Sequence, residues 1–226
     1  MTGRLLLVRH GVTTWNREGR FQGHLDPPLA PEGLEEARLL ADRMQGAPSL
    51  RPARIVSSPL ARARQTAEAI HAAVTRSGPP PDLVLDPDLV ELGQGEWEGR
   101  THAELAVEDS ERYAAWRTRS GNHPPPGGES VDVAAPRVAA AVKRALTGGG
   151  WPLCIVTHGG TLRLLAEQLL NLERPRAWAL EADNASLSVL DPESGGWRLV
   201  QWNDVGHLLG RLPLHVGEVD GEVLAL

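Results

Sequence analysis

Arg9, His10 and Gly11 follow a short apolar run, Leu5 to Val8. Together they offer a permanent positive charge, an imidazole able to act as nucleophile or base, and a residue that lets backbone approach a ligand. Taken alone, the tripeptide reads equally well as a surface arginine and a histidine packed on its own loop. A second histidine turn, Thr157-His158-Gly159-Gly160, follows another apolar run, Leu153 to Val156, and precedes a strongly amphipathic stretch. His158 thus falls where a strand hands over to a helix, and the free N–H groups and dipole at such a place favour an anion. Two histidine-glycine turns in equivalent positions make an incidental histidine the weaker reading. A third segment, Ser57-Ser58-Pro59-Leu60-Ala61-Arg62-Ala63-Arg64, reads as a strand end followed by a helix with Ser58 as N-cap and Pro59 at its first position. By itself it is an ordinary capped helix whose arginines form a solvated face.

The elements that must position these residues are legible in the hydrophobic pattern. Leu5 to Val8, Arg54 to Val56, Leu83 to Leu85 and Leu153 to Val156 are short apolar runs of the kind buried on both faces of a sheet. Helices are expected over Pro31 to Met44, from Ser58-Pro59 to about Val74, over Thr101 to Arg119, around Val133 to Leu146, and over Thr161 to Leu170. Between them lie a long loop from His10 to Pro31, a loop with glycines and Trp97 from Glu91 to Arg100, and a breaker cluster from Pro124 to Gly128. Ser186 to Leu190 and Trp197 to Trp202 flank the turn Asp191 to Gly196 as an antiparallel hairpin. Strands alternating with helices predict an α/β fold in three layers, a mainly parallel sheet with helices on both faces and the site at the carboxyl ends of its strands.

A chain of 226 residues with 41% hydrophobic content can bury a substantial core, and the expectation is a single domain over 1–226 with a helical insertion at about 95–149. The net charge of -6 argues against nucleic acid or an anionic membrane surface as partner, so any anion site is a local concentration of positive charge. The single cysteine, Cys154, sits in an apolar run and reads as a buried small hydrophobe in a reducing compartment. The apolar run after Gly3 is too short for a signal-peptide core, and no stretch approaches the ~20 apolar residues of a membrane span. A cytoplasmic protein is expected. His24, His71, His102, His123, His207 and His215 form no metal-ligand spacing with one another or with Cys154, and most are expected to be exposed or locally hydrogen-bonded.

These motifs, taken in order, resemble the histidine phosphatase superfamily, the phosphoglycerate-mutase-like enzymes. Arg9-His10-Gly11-Val12-Thr13-Thr14-Trp15-Asn16 resembles the family signature R-H-G-x-T-x-W-N, with Gln22-Gly23, Asp26, Pro28, Leu29 and Gly33 following in the family's positions. Ser57 to Ala67 resembles its S-S-P-L-x-R-A-x-Q-T-A helix entry. Glu91 with Gly95-Glu96-Trp97-Glu98-Gly99 resembles the acid-bearing loop, and Gly127-Gly128-Glu129-Ser130 with Arg137 resembles the G-G-E-S helical insertion. Thr157-His158-Gly159-Gly160 and Asn184-Ala185-Ser186 complete a match from about Leu5 to His207. Two departures are Val12, where the family often has glutamate, and Glu36, where glutamine is common.

The resemblance implies a metal-independent phosphomonoesterase without cofactor, acting on small phosphorylated metabolites. It makes His10 the nucleophile that forms a phosphohistidine, Arg9, Arg62 and His158 the groups around the phosphate oxygens, and Glu91 the acid that protonates the leaving group. Asn16 and the Gly159 amide become further phosphate donors, and Gln22, Gly23 and Asn184 lie near substrate. A mutase that returns the phosphate to another hydroxyl is the first rival. The loop Leu92-Gly93-Gln94-Gly95-Glu96-Trp97 resembles the phosphatase branches and lacks the R-x-Y-G-x-L-x-G pattern of the mutases. A phosphate-binding or interaction module without turnover is the second rival, and the intact set His10, Arg9, Arg62, Glu91 and His158 speaks against it.

Overall fold

A computed structural model describes residues 3–118 and 121–209. Arg119, His215 and the segment beyond Leu209 lie outside the described residues. Six strands form one sheet: β1 (Leu5–Arg9), β2 (Arg54–Ser57), β3 (Asp82–Leu85), β4 (Leu153–Thr157), β5 (Leu187–Glu193) and β6 (Gly196–Asp204), in the order β3-β2-β4-β1-β5-β6. The pairs β3/β2, β2/β4 and β4/β1 are parallel, whereas β5 runs antiparallel to both β1 and β6. The chain is therefore α/β with a mixed, mostly parallel sheet, and the expected hairpin supplies its antiparallel edge.

The alternation of side chains across the pleat explains why β1 and β4 are apolar at successive positions. Leu5, Leu7, Leu153 and Ile155 pack to one side with α6 (Val131–Thr147) and α7 (Gly159–Leu170). Leu6, Val8, Cys154 and Val156 pack to the other with α2 (Pro31–Gly46) and α3 (Ala61–Thr75). Cys154 is a free, buried thiol whose pKa is raised by burial, as its apolar run implies. Of the residues from 95 to 149, α6 belongs to the layer covering the sheet. The shorter helices α4 (His102–Glu108) and α5 (Ser110–Trp116) stand apart, around a separate cluster of Phe21, Trp97, Leu105 and Tyr113. Asp109 breaks the helix expected over this segment, with φ of -140°, and its side chain accepts the indole N–H of Trp97. A short helix α1 (Thr14–Arg17) interrupts the long loop after β1, and α8 (Arg174–Trp178) follows α7.

The third helix departs from its expected start. It begins at Ala61 with Leu60 as N-cap and no side-chain cap, two residues beyond the predicted Pro59. Ser58 continues out of β2, is fully buried, and turns its hydroxyl toward His158. The first amide of α3 is served from elsewhere, the Ala61 N–H donating to Oδ1 of Asp26 at 2.7 Å, while Oγ of Ser58 accepts the Leu60 N–H at 3.3 Å and reaches Nε2 of His158.

Candidate active site

Register brings the two histidines together. Arg9 pairs with Thr157 at the ends of the parallel strands β1 and β4, so His10 and His158 are the next residues on adjacent strands. Ser57 pairs with Val156 on the other flank of β4, which places Ser58 beside them. The two imidazole rings stand 5.1 Å apart, centroid to centroid, tilted by 60°. Both are buried, His10 with 3% of its surface exposed and His158 with none.

The hydrogen bonds assign both protons. Nδ1 of His10 lies 2.7 Å from the carbonyl oxygen of Gly11, which can only accept, so Nδ1 carries the proton and Nε2 keeps its lone pair. Burial holds the His10 pKa well below 6.5, and the charges of Arg62 and Arg9 push the same way against the Gly11 bond. The ring is neutral at neutral pH, with the lone pair of Nε2 unprotonated. Nδ1 of His158 accepts from Nε of Arg62 at 3.2 Å, and its Nε2 is 2.8 Å from Oγ of Ser58. Burial, then Arg62, then His10 and Arg9, hold this pKa well below 6.5 as well.

The His10 backbone is clamped from both sides. Its N–H donates to Thr157 and its carbonyl accepts from the Ala185 amide and from Nδ2 of Asn184. The next residue is pressed against α2, where a Cβ on Gly11 would fall 2.5 Å from the carbonyl oxygen of Gly33. The two departures from the family pattern meet here, because Oε2 of Glu36 accepts the Val12 N–H at 2.7 Å.

Arginine surrounds His10. Arg62, which its own helix alone would leave on a solvated face and the family resemblance puts beside phosphate, is 1% exposed and is held by the carbonyls of Leu25 and Gly23 as well as by His158. It lies in the first turn of α3, close after the end of β2, and its guanidinium is taken up by His158 and the two loop carbonyls. Arg9 donates through Nη1 to the Ala182 carbonyl, while its buried Nε has no protein partner. A Cβ on Gly159 would lie 3.6 Å from the Arg9 guanidinium and 3.6 Å from Nη1 of Arg163, so both cations flank the first residue of α7. Burial lowers the pKa of Arg9 and Arg62, yet from so high a starting value that both stay charged.

Glu91 meets the same helix end. Its Oε2 accepts the Gly160 N–H at 3.0 Å, and its Oε1 accepts the Thr161 N–H at 3.0 Å and its own neighbour Leu92 at 2.9 Å. These are backbone donors that α7 cannot satisfy internally. A Cβ on Gly160 would approach Oε1 to 2.7 Å, which is why a glycine occupies that position. Arg137 of α6 ties the acid-bearing loop down, donating to the carbonyls of Asp88, Val90 and Glu91 and forming a two-point pair with Glu129 at 2.8 and 2.6 Å.

These groups open onto a cleft of about 290 Å³. Of the residues singled out in the sequence, Arg9, His10, Asn16, Gln22, Gly23, Arg62, Glu91 and Gly159 line it. His158 and Asn184 do not. His158 stands behind His10 with both ring nitrogens engaged, so a bond from its Nε2 to phosphate requires displacing Ser58 Oγ. Asn184 supports the His10 carbonyl. Oδ1 of Asn16 caps α1 by accepting from Thr13, which leaves its amide NH₂ as the donor for a ligand, and Gln22 accepts from the Thr13 hydroxyl. Gly23 has φ of +50°, and a Cβ there would strike Glu98 at 2.0 Å, so only glycine serves. Sequence reasoning missed Ser58, whose serine-proline context reads as a cap, and Arg163, which lies one turn along α7 from Gly159 and lines the cleft. Among the described residues no three His, Cys, Asp or Glu side chains gather in a metal-ligating group, and no helix is long and apolar enough to cross a membrane.

Comparison with known proteins agrees with this geometry. The chain is 34% identical over 206 residues to a metal-independent phosphoserine phosphatase of Arabidopsis thaliana, covering 90% of this chain and 82% of that one. It is 35% identical to the adenosylcobalamin/alpha-ribazole phosphatase of Salmonella typhimurium, over 83% of this chain and 90% of the relative. It is also 35% identical to a probable phosphoglycerate mutase of Enterobacter, over 91% of this chain and 94% of the other. Among solved structures, mycobacterial glucosyl-3-phosphoglycerate phosphatase superposes with a TM-score of 0.78 at 31% identity, over 89% of this chain and 99% of that chain. The sequence profile of the histidine phosphatase superfamily (branch 1) matches residues 5–205, and with the paired histidines at the strand ends this places the chain in that superfamily, as an enzyme of its first branch.

Proposed function

We propose that the protein is a metal-independent phosphomonoesterase that hydrolyses small phosphorylated metabolites through a phosphohistidine on His10. The observation that carries this reading is the tautomer of His10: a neutral imidazole with its proton fixed on Nδ1 by Gly11 and its Nε2 lone pair available beside two arginines. In the first step Nε2 attacks phosphorus in line, the bond from phosphorus to the alcohol oxygen breaks, and Glu91 delivers a proton to that oxygen. In the second step water attacks the phosphohistidine, Glu91 takes its proton, and inorganic phosphate leaves with Nε2 restored. Phosphoryl transfer gains most from positioning and from charge matched to the equatorial oxygens. Arg9 Nε, the Arg62 guanidinium, Asn16 and the Gly159 amide supply it, and His158 fixes Arg62 from behind.

A mutase is the second reading, favoured by the relatives named probable phosphoglycerate mutases. It shares the first step and differs in which hydroxyl takes the phosphate from His10.

Rapid quenching during turnover of a labelled aryl phosphate tests the proposal. Label on His10 in an acid-labile, base-stable linkage is expected, with activity unchanged after dialysis against a chelator. Label elsewhere, or a His10→Ala variant that keeps most of the activity, overturns the nucleophile. Activity lost to the chelator and restored by a divalent ion overturns the metal-independent mechanism.

A further inference from the structure

The cleft has a second part that the phosphate chemistry does not use. Phe21, His102 and Trp116 form one wall and Trp178 contributes another, with Gly121 and His123 of the loop after α5 between them. The chain has only 9 Trp, Tyr and Phe residues in 226, so three of them on one cleft is a concentration. They are held rigidly. Trp116 stacks on Tyr113 at 17° and meets Phe21 nearly edge-on at 4.9 Å, and Tyr113 hydrogen-bonds Nδ1 of His102 at 3.0 Å. On the other side Gly121, with φ of +72°, lies so close to Trp178 that a Cβ would approach its ring to 2.8 Å.

Both walls are tied to the phosphate end. Phe21 is two residues from Gly23, whose carbonyl receives Nη2 of Arg62. Trp178 is two residues from Leu180, whose carbonyl receives Nε of Arg163, one turn along α7 from Gly159. The cleft that contains His10 thus continues to these rings, and an alcohol portion has this part of it to enter. Their half-buried faces, together with Phe21, suit a planar apolar group, since aromatic pairs gain from stacked or edge-on contact beyond the area they bury. The cleft's carboxylates, Glu91 and Glu129, are already held by α7 and by Arg137, which leaves Oε1 of Gln94 as an unpartnered acceptor for a substrate hydroxyl beside the rings.

We propose that the preferred substrates are phosphomonoesters whose alcohol carries an aromatic ring, received against Trp116 and Trp178. This rests on the phosphatase reading above and names its substrate class. The chief rival is an alcohol bearing a second anion, read by Arg163.

Hydrolysis of 2-phenylethyl phosphate, butyl phosphate and O-phosphoserine, all alkyl esters, separates ring recognition from leaving-group chemistry. The expected result is a kcat/KM about tenfold or more higher for the phenylethyl ester than for the butyl ester, carried mainly by KM. That ratio should fall severalfold in Trp116→Ala and in Trp178→Ala and be kept in Trp116→Phe and Trp178→Phe, which guards against a merely misfolded alanine variant. A ratio near one in the parent enzyme, a ratio untouched by the alanine variants, or a preference for O-phosphoserine that Arg163→Gln removes overturns the proposal. Release of phosphate from none of the three esters counts instead against the phosphatase reading.

Discussion

Nε of Arg62 donates to Nδ1 of His158 across 3.2 Å, and that bond decides where the remaining imidazole proton goes. A guanidinium N–H cannot accept, so the neutral ring is protonated on Nε2 and points it at Ser58 Oγ, 2.8 Å away. Ser58→Ala leaves this N–H buried without a partner. The variant should be destabilised by about 1–3 kcal/mol in denaturant unfolding. A change within error would mean that water or another acceptor replaces the hydroxyl.

Glu91→Gln should slow an alkyl phosphate by about 100-fold or more while costing an activated aryl phosphate far less. A good leaving group departs without a proton and a poor one does not. The rate of His10 phosphorylation under single-turnover conditions is the measurement, and equal losses on both esters would remove Glu91 from the role of general acid.

Arg137 touches three backbone carbonyls of the loop that carries Glu91, so its replacement is expected to act on the reaction through the placement of that carboxylate. Lysine cannot span those partners and the Glu129 pair at once. Arg137→Lys should therefore lower the alkyl-to-aryl rate ratio in the same direction as Glu91→Gln, and should lower it no further when Glu91 is already glutamine. An equal effect in both backgrounds would reduce Arg137 to a structural role.

His10, His158 and His207 all have folded-state pKa values below 6.5, the last at about 4, with burial the first cause in each. Below about pH 6.5 the unfolded chain binds protons that the folded one refuses, so stability must fall as pH drops through this window. Asp86, Glu129 and Asp204 have lowered pKa values and add a further loss at more acid pH, where their arginine partners lose the negative charge. Thermal midpoints should drop between about pH 7 and about pH 5. A flat or rising midpoint would contradict neutral burial of the histidines.

With 3-phosphoglycerate as substrate, inorganic phosphate should exceed 2-phosphoglycerate, and a bisphosphoglycerate primer should not produce efficient isomerisation. Rapid primer-dependent exchange between the two monophosphates would turn the assignment to the mutase.

Much of this molecule was legible before any coordinates. Apolar runs at Leu5 to Val8 and Leu153 to Val156, each ending in a histidine-glycine turn, are local patterns that carry the α/β fold and Arg9, His10 and His158 as candidates, and the resemblance to the family adds Arg62, Glu91 and Gly159. What the tertiary structure decided are relations between distant strands. Periodicity alone reads Ser58 as a cap and Arg62 as a solvated charge, because it shows only their own helix, and the family motif names Arg62 without saying what holds it. The register of β2 on β4 turns the first into a partner of His158, and the ring of that histidine with the Leu25 and Gly23 carbonyls takes in the second. Asn184 carries the family's motif, yet pairing of β5 with β1 sets it behind His10 and out of the cleft. Trp116 and Trp178 lie in segments with no shared pattern, and only the folding of α5 and α8 around one cleft makes them a single surface. Hydrogen bonds and burial act through space, between groups whose separation along the chain leaves no periodicity to read.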